Sequence, residues 1–262
     1  MPTREKESYS IQSVDNALDV LEALCEEGDE VRISQLSERL GMNKTSVFRL
    51  LATFENRGYV EREKGSGKYR LGLSAYEMGQ KFLSRMHLLR KAKPIMERLV
   101  RQINEAVYLA VPRDPSILLL DMVDTSAQVK IVSLAGNRYE ISTTAAGKVI
   151  LAFRVAGNGT SNGSNGKKGR DISALPPAEQ QTIRRDGFCL DRGGLGEGVV
   201  SVAVPLFRSG GDVVGSLCCV GPDFRMTDER LQEEILPQIK DAGDIISSKL
   251  GHLGRYFDGE HD

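Results

Sequence analysis

The chain has 262 residues, of which 40% are hydrophobic and 27% are charged, and this composition is ordinary for a globular protein with room for two domains. Its net charge of −1 excludes a partner that is recognised through the charge of the whole chain, so a nucleic acid would have to bind a local basic patch. No apolar run approaches the roughly 18 residues of a membrane-spanning helix, and the polar start MPTREKESYS lacks the apolar core of a signal peptide, so we expect a cytoplasmic protein without a membrane partner.

The first 72 residues carry the pattern of three helices and a hairpin. Apolar residues recur at helical spacing in three stretches, and Ser34 and Asn43 are placed to cap the second and the third. Gly41 predicts a tight turn between these two helices, and the Gly-Ser-Gly at 65–67 predicts the turn of a hairpin. The predicted elements are helices over 13–27, 33–40 and about 44–57 and a β-hairpin over 58–72. This order is typical of a winged helix-turn-helix, which we place in residues 1–73.

Residues 74–104 predict one or two helices that link this domain to a second one. A stripe of methionine, phenylalanine and leucine side chains runs along them at helical spacing. Pro94 is expected to interrupt the stripe, because proline lacks the N–H group that a helix needs. We interpret 74–104 as a linker helix and 105–262 as the second domain.

The second domain mixes strands and helices. Five short apolar runs predict strands, and the last two of them form a hairpin; the runs are VYLAVP, SILLLDMV, QVKIVSL, GVVSVAVPLF and VVGSLCCVG. TTAAGKVILAF begins a helix, and a final helix over 228–251 is capped by Thr227. The stretch AGNGTSNGSNGKKGR at 156–170 is rich in Gly, Asn and Ser and predicts a flexible insertion. Helices beside an antiparallel sheet make this an α+β domain.

The third helix lies within LGMNKTSVFRLL and has a polar side that could contact DNA. In a helix-turn-helix the start of this helix enters the major groove, where hydroxyl and amide groups bond phosphates or base edges and arginine can fork onto guanine. Between residues 39 and 70, eight Lys and Arg stand against three Glu, so this segment carries +5. The predicted DNA-binding residues are Asn43, Lys44, Thr45, Ser46, Phe48 and Arg49 in the helix and Lys64, Lys68 and Arg70 in the wing.

Two other interpretations stay open at this point. The basic faces could be ordinary solvated surface, or the chain could be a small-molecule sensor whose winged helix contacts another protein, although the local charge of +5 argues against both. Catalysis finds no support, because none of the three histidines lies near Asp191 or a cysteine in the sequence and neither GxGxxG nor a Walker pattern occurs. The four cysteines lack CxxC spacing. We therefore expect no enzyme activity, no cofactor and no metal site.

Motifs in both domains resemble the IclR family of bacterial transcription regulators. In the first domain these motifs are IQSVDNALDVLEAL, ISQLSERLGMNKTSVFRLLATFENRGYVER and KYRLGLSAYEMG. In the second domain they are AGNRYEISTTAAGKVILA, GFCLDRGGLGEGVVSVAVPLF and VGSLCCVGPDFRMTD. The resemblance covers about residues 10–252, and its second-domain motifs are the more distinctive, because many families share a winged helix.

The resemblance implies a winged helix-turn-helix, a linker helix and a C-terminal GAF-like α/β domain with an antiparallel sheet that binds a small effector. It also implies a homodimer or a dimer of dimers on partly palindromic, double-stranded operator DNA, acting as a repressor or activator whose operator binding is controlled by the effector. Carried over residue by residue, the effector-binding set is Ala145, Ala146, Asp191, Val199, Ser201, Cys218 and Val220. The backbone N–H groups of Ala145 and Ala146 begin a helix and could receive a carboxylate, so we expect an organic acid.

The chain departs from the family pattern at several positions. Cys218 and Val220 stand where some relatives have hydroxyl residues, so this wall should be less polar and suit an apolar or aromatic part of the effector. Asn16 stands where relatives often have arginine, which removes a possible phosphate contact. Asp191 precedes an Arg-Gly-Gly sequence and could also be only a turn residue. The insertion at 156–170 replaces a short helical connection of many relatives.

Overall fold

The computed structural model describes residues 10–28, 30–154 and 175–252, and the predicted insertion at 156–170 lies outside these described residues. Contacts divide the chain into a first unit, Met1–Met86, and a second unit, His87–Asp262. Each unit has a hydrophobic core of its own.

The first unit is a winged helix-turn-helix, as its sequence predicts. Its elements are α1 (Gln12–Glu27), α2 (Ile33–Leu40), α3 (Lys44–Asn56), β1 (Val60–Arg62), β2 (Tyr69–Leu71) and α4 (Leu73–Arg85). β1 and β2 pair antiparallel, and the backbone of Val31 adds a bridge to Tyr69 with two bonds of 2.8 Å. Gly41 turns the chain from α2 into α3 at a φ of 63°, a conformation that glycine adopts without the steric cost of a Cβ.

The core of the first unit holds α3 by one side. Val20, Leu24, Leu36, Val47 and Leu51 are each at most 2% exposed. Burying an aliphatic side chain of this size contributes about 1.5–3 kcal/mol to stability. Because Val47 and Leu51 are one helical turn apart, they fix one side of α3 against the core and leave the opposite side in solvent.

Two local predictions in this region are wrong. The N-cap of α2 is Arg32 rather than Ser34, and the Arg32 N–H donates to the side-chain oxygen of Gln35 at 2.9 Å. The helical break lies at Met86, just after α4, whereas Pro94 lies inside the next helix. That helix tolerates proline because six of its side chains are buried, which offsets the backbone bond that proline cannot make.

The second unit is a six-stranded antiparallel sheet with helices on both faces, which confirms the predicted α+β class. Its strands follow the order β5-β4-β3-β8-β7-β6. Its elements are α5 (His87–Ile103), β3 (Ala106–Arg113), β4 (Ser116–Val123), β5 (Arg138–Glu140), α6 (Ala145–Phe153), α7 (Pro177–Asp186), β6 (Cys189–Arg192), β7 (Val199–Phe207), β8 (Val213–Pro222) and α8, which runs through Asp228–Arg230, a π-helical turn at Leu231–Ile235 and Leu236–Lys249.

The two faces of the sheet serve two separate cores. Successive side chains of a strand point to opposite faces. In β3, Val107 and Leu109 therefore join the core formed with α5 and α8, whereas Tyr108 joins the core formed with α6. In β7, Val202 belongs to the first core and Ala203 to the second. The final helix begins as predicted, since the Thr227 hydroxyl accepts the Arg230 N–H at 3.3 Å.

One predicted strand is absent from the described structure. Residues 128–134 (QVKIVSL) have the alternating pattern of a strand but form none, and Val129 and Val132 are 62% and 78% exposed. The strand beside β4 is β5 instead. The Gly136 N–H donates to Leu119 O at 2.7 Å, so the chain meets β4 only after this turn, and residues 138–140 make the pairing. α7 was not predicted, because its ten residues bury only Ile183 and carry a weak apolar pattern.

Candidate functional site

The start of α3 is fixed by its own cap. The Asn43 side-chain oxygen accepts the Ser46 N–H at 2.8 Å, which satisfies one of the first N–H groups of the helix. Asn43 itself is exposed. Its oxygen is therefore occupied in positioning α3, and only its amide N–H groups stay free to contact a partner.

The outward side of α3 carries the predicted DNA-binding side chains. Lys44, Thr45 and Arg49 are exposed, Ser46 is half-buried, and Phe48 is 48% exposed despite its apolar ring. Among the described residues, no carboxylate pairs with Lys44 or Arg49, so both cations remain available. The helix thus presents two cations without a carboxylate partner and two hydroxyls in its N-terminal half.

In the wing formed by β1, β2 and their connecting turn, two of the predicted DNA-binding cations have carboxylate partners and one has none among the described residues. Lys68 Nζ lies 2.7 Å from Glu30 Oε2, and Arg70 Nη2 lies 2.9 Å from Glu61 Oε2. The hydrogen bond from Lys68 holds the pKa of Glu30 below its usual value, so this carboxylate stays charged. Lys64 is exposed, and within the described part of the chain no carboxylate pairs with it. Of the three predicted wing cations, Lys64 is therefore the one without a carboxylate partner among the described residues.

In the second unit, the start of α6 offers buried backbone donors. The Thr144 hydroxyl accepts the Gly147 N–H at 3.2 Å, and its carbonyl accepts the Lys148 N–H at 2.9 Å. The two preceding N–H groups, those of Ala145 and Ala146, belong to the first helical turn, which has no acceptor within the helix. Both residues are at most 1% exposed. An anion placed against this helix start would meet two donors and the positive end of the helix dipole.

The sheet brings the other predicted effector residues together opposite α6. Asp191 pairs with Ser201, and Ser201 pairs with Val220, so these three side chains point to the same face. The buried apolar cluster on this face contains Ala145, Ala146, Val199, Cys218 and Val220. The structure therefore places all seven predicted residues at one layer between α6 and the sheet.

Ser201 stands out in this layer because its hydroxyl is buried and incompletely paired. The residue is 1% exposed, and Oγ has no nitrogen or oxygen partner among the described residues. Its polar contact is with the Cys218 thiol: burial raises the pKa of Cys218, and the side-chain hydrogen bond with Ser201 lowers it. An unpaired buried hydroxyl costs about 1–3 kcal/mol, so its presence calls for a partner.

Asp191 acts in part as the turn residue that its sequence context allows. Its Oδ2 accepts the Gly194 N–H at 2.7 Å. Gly194 must be glycine, because a Cβ there would come within 2.4 Å of the Thr143 carbonyl oxygen. This bond closes the loop after β6, which lies against Thr143, the residue that precedes the α6 cap. Sequence reasoning missed Thr144, the N-cap of α6, and Gly194, whose role follows only from this close approach.

A groove of about 440 Å³ lies elsewhere in the second unit, at the C-terminal end of α5. It is open, belongs to the opposite face of the sheet, and contains none of the predicted effector residues; its lining residues are Glu97, Val100, Arg101, Asn104, Val123, Asp124 and Ser126. Exposed charged side chains on an open groove are ordinary surface, so we do not place the effector there.

The described residues contain neither a candidate metal site nor a helix that could span a membrane. These residues contain no group of three His, Cys, Asp or Glu side chains that could hold a metal ion. Their helices are each too short or too polar to cross a membrane.

Comparisons with known proteins agree with this architecture. The family model of the IclR helix-turn-helix domain matches residues 13–64, and that of the bacterial transcriptional regulator IclR C-terminal domain matches residues 80–161 and 174–248. The HTH-type transcriptional regulator KdgR of Escherichia coli K12 is 32% identical over 95% of this chain and 96% of its own length. KdgR of Dickeya chrysanthemi is 30% identical over 95% of this chain and 83% of its own length.

Solved structures share the fold at lower identity. An IclR transcriptional regulator from Alicyclobacillus acidocaldarius is 22% identical, with a TM-score of 0.76 over 93% of this chain and all of the other. An IclR homologue from Microbacterium hydrocarbonoxydans, complexed with 4-hydroxybenzoate, is 20% identical, with a TM-score of 0.71 over 91% of this chain and 99% of the other. With the two family models covering more than half of its length, this chain belongs to the IclR family and is an HTH-type transcriptional regulator.

Proposed function

We propose that α3 recognises double-stranded operator DNA through its N-terminal half and that the wing contacts the adjacent backbone. Arg49 is the residue most suited to a base edge, because its guanidinium is exposed and unpaired among the described residues. Thr45 and Ser46 have hydroxyls that suit phosphates or bases. Lys44 and Lys64 supply charge, whereas Lys68 and Arg70 contribute less because each already has a carboxylate partner.

We propose that the layer between α6 and the sheet binds the effector. The observation that carries this proposal is the buried hydroxyl of Ser201, which has no nitrogen or oxygen partner among the described residues and lies on the face that packs against α6. A carboxylate at the start of α6 would accept from the Ala145 and Ala146 N–H groups, and Ser201 would then gain a partner. The apolar side chains of Val199 and Val220 suit the rest of a small organic acid. The complex of the Microbacterium homologue with 4-hydroxybenzoate supports this ligand class.

We further propose that this layer binds its ligand without transforming it. Cys189 and Cys218 are the thiols in the apolar cluster on this face of the sheet, and both are buried. Burial raises the pKa of Cys189 to about 12 and raises that of Cys218 as well, so neither thiol ionises at neutral pH. A neutral thiol in an apolar layer packs as a small hydrophobic group and does not attack a ligand.

We propose that the regulator acts in the cytoplasm as a homodimer or a dimer of dimers. The support is apolar surface on the first unit. α1 exposes Ile11, Val14 and Leu18 on one side, and α4 buries none of its residues; the large apolar side chains that α4 exposes are Leu73, Tyr76, Met78 and Phe82. A 13-residue helix is only marginally stable in water without tertiary packing. A second copy of the chain could bury the exposed apolar side chains of α4. A two-fold dimer also matches a palindromic operator.

The experiment compares the operator and random-sequence affinities of the wild type with those of Arg49→Ala. The operator is first selected from a pool of random duplexes with the full-length protein, and binding is measured by fluorescence anisotropy. We expect Arg49→Ala to lose about 1–3 kcal/mol on the selected operator and much less on random DNA, because a base contact specifies and a phosphate contact does not.

Arg57→Ala is the matched control, because this substitution removes the same charge at the other end of α3. It should weaken both kinds of DNA slightly and equally. If Arg49→Ala binds both DNAs as the wild type does, α3 does not recognise bases through Arg49, and our assignment of this helix is wrong.

A further inference from the structure

A second buried hydroxyl lies on the same face of the sheet as Ser201. Tyr108 of β3 pairs with Cys218 of β8, and Cys218 pairs with Ala203 of β7, so these side chains all point towards α6. Tyr108 is 0% exposed and lies in the same apolar cluster as Ala145. Tyr108 lies inside the apolar run VYLAVP, so the sequence alone does not distinguish it from an ordinary core tyrosine.

The hydroxyl of Tyr108 has unused capacity for hydrogen bonds. It accepts the Leu134 N–H at 3.3 Å, which is long for such a bond. Within the described residues, no acceptor receives its own proton. Burial raises the pKa of Tyr108, so the phenol keeps this proton at neutral pH. A buried donor without an acceptor is costly, and folded proteins keep few of them.

Leu134 belongs to the irregular segment between β4 and β5, which packs over the α6 face of the sheet. Leu134 is buried in the apolar cluster of Tyr108, and Ile131 packs against it. Arg225 holds the same segment by donating from Nη1 to Val129 O at 2.9 Å. The Tyr108 hydroxyl therefore lies beneath a segment that is anchored beside it and that supplies a backbone donor of its own.

Apolar side chains separate Tyr108 from Ser201. Cys218 and Val220 of β8 lie between them on the same face of the sheet, with Ala106 and Ala203 beside this path, and each is at most 2% exposed. α6 faces them with alanines in its first turn. The two layers thus bound an apolar strip with one incompletely paired hydroxyl towards each end. This arrangement matches a ligand with two polar ends and an apolar middle.

We propose that Tyr108 is a specificity-determining residue of the effector site and that the effector is an organic acid with a second hydrogen-bond acceptor across an apolar spacer. This inference rests on the proposed function. The carboxylate lies at the start of α6 beside Ser201, and the second group, a hydroxyl or carbonyl, accepts from the Tyr108 O–H. An acid without the second group leaves that donor unpaired and binds more weakly.

The test uses acids that differ only in the second group. Isothermal titration of the full-length protein compares benzoate with 4-hydroxybenzoate and hexanoate with 6-hydroxyhexanoate. We expect the hydroxylated acid of at least one pair to bind the wild type roughly tenfold more tightly, which is the usual effect of one good hydrogen bond. Tyr108→Phe should abolish this preference and leave the Kd of the parent acid unchanged, and the unchanged Kd also shows that the variant is folded.

Tyr139→Phe is the control, because Tyr139 packs partly buried against the same apolar cluster. It should keep the wild-type preference. If the two acids of each pair bind equally, or if the preference survives in Tyr108→Phe, the inference about Tyr108 is overturned while the proposed acid site stands. If none of the four acids binds the wild type, both the inference and the proposed acid class are wrong.

Discussion

The two candidate sites of this regulator are built in opposite ways. On α3 the polar groups lie in solvent, and Val47 and Leu51 hold them from behind. Between α6 and the sheet, the polar groups that matter are buried, and Ser201 is 1% exposed. A site for DNA must stay open to a partner larger than itself, whereas a site for a small molecule must exclude water. Unpaired charge therefore marks the first site, and an unmade hydrogen bond marks the second.

This difference has consequences for substitutions. Exposed cations on α3 contribute little to folding, so replacing them should change DNA affinity and leave stability almost unchanged. Buried groups of the second unit contribute to both stability and binding. Four predictions test this comparison, in order of decreasing expected effect.

The largest effect is expected at Glu105, the buried carboxylate of the second unit. Glu105 is 0% exposed and accepts from Arg225 Nη2 at 2.7 Å and from Arg230 Nη1 at 2.6 Å. Glu105→Gln removes the charge that both guanidinium groups face, and breaking a buried ion pair costs about 3–5 kcal/mol. Urea unfolding of the second unit should show a loss of this size.

An exposed pair serves as its control. Asp241 lies 3.5 Å from Arg98, and both side chains are largely in solvent. Asp241→Asn should lower the free energy of unfolding by less than about 1 kcal/mol, because water already screens this pair. Equal losses in the two variants would contradict the assignment of Glu105 as a buried structural charge.

Two buried serines of the sheet should respond with opposite signs. The Ser216 hydroxyl donates to Ala146 O at 3.1 Å, whereas the Ser201 hydroxyl has no nitrogen or oxygen partner among the described residues. Ser216→Ala should lower the free energy of unfolding by about 1 kcal/mol. Ser201→Ala should raise it by up to about 1 kcal/mol in the ligand-free protein, because an unsatisfied hydroxyl is removed. A loss of stability in Ser201→Ala would mean that this hydroxyl serves the fold rather than a ligand.

The cap of α3 should matter for the stability of the first unit. Asn43→Ala removes the acceptor of the Ser46 N–H and should lower the thermal stability of this unit by an amount equivalent to about 1 kcal/mol. Thr45→Ala, two residues away on the exposed side, should leave stability unchanged while it weakens DNA binding. Circular dichroism and anisotropy measure the two effects separately. Equal stability losses in both variants would remove the special role of Asn43.

The smallest effect is expected in the wing. Lys64→Ala should weaken binding to all DNA sequences and reduce the slope of log K against log salt by about 0.9, the value for one lost phosphate contact. Lys68→Ala should reduce it less, because Glu30 already neutralises Lys68 at 2.7 Å. A larger change for Lys68 than for Lys64 would show that DNA displaces Glu30.

The same contrast explains what could be predicted from the sequence. The winged helix follows from local signals, namely the glycine turn at Gly41, the cap at Asn43 and the helical spacing of the apolar residues. The hairpin of β7 and β8 was equally clear from two long apolar runs. The prediction of a strand over residues 128–134 is wrong, because an alternating pattern forms a strand only where a neighbouring strand is available to pair. The edge of β4 pairs with β5, which follows the turn at Gly136.

The candidate effector site could not be derived from local patterns. Its residues come from β6, β7, β8 and α6, and only the sheet register brings Asp191, Ser201 and Val220 side by side. The resemblance to the IclR family supplied these positions, but not the unpaired state of Ser201 or the hydroxyl of Tyr108. The hydrogen-bonding states of these two hydroxyls depend on which atoms lie close together after folding, and this cannot be predicted from a single stretch of sequence.

The central claim is that ligand binding in the second unit changes DNA binding by the first. The direct measurement is the Kd of the selected operator without ligand and with a saturating concentration of the carboxylic acid that most raises the Tm of the wild type. Allosteric coupling of the usual size predicts a change of at least about fivefold in the wild type, and Ser201→Ala should need far more acid to produce it. An acid that binds the wild type with an unchanged operator Kd would contradict the account.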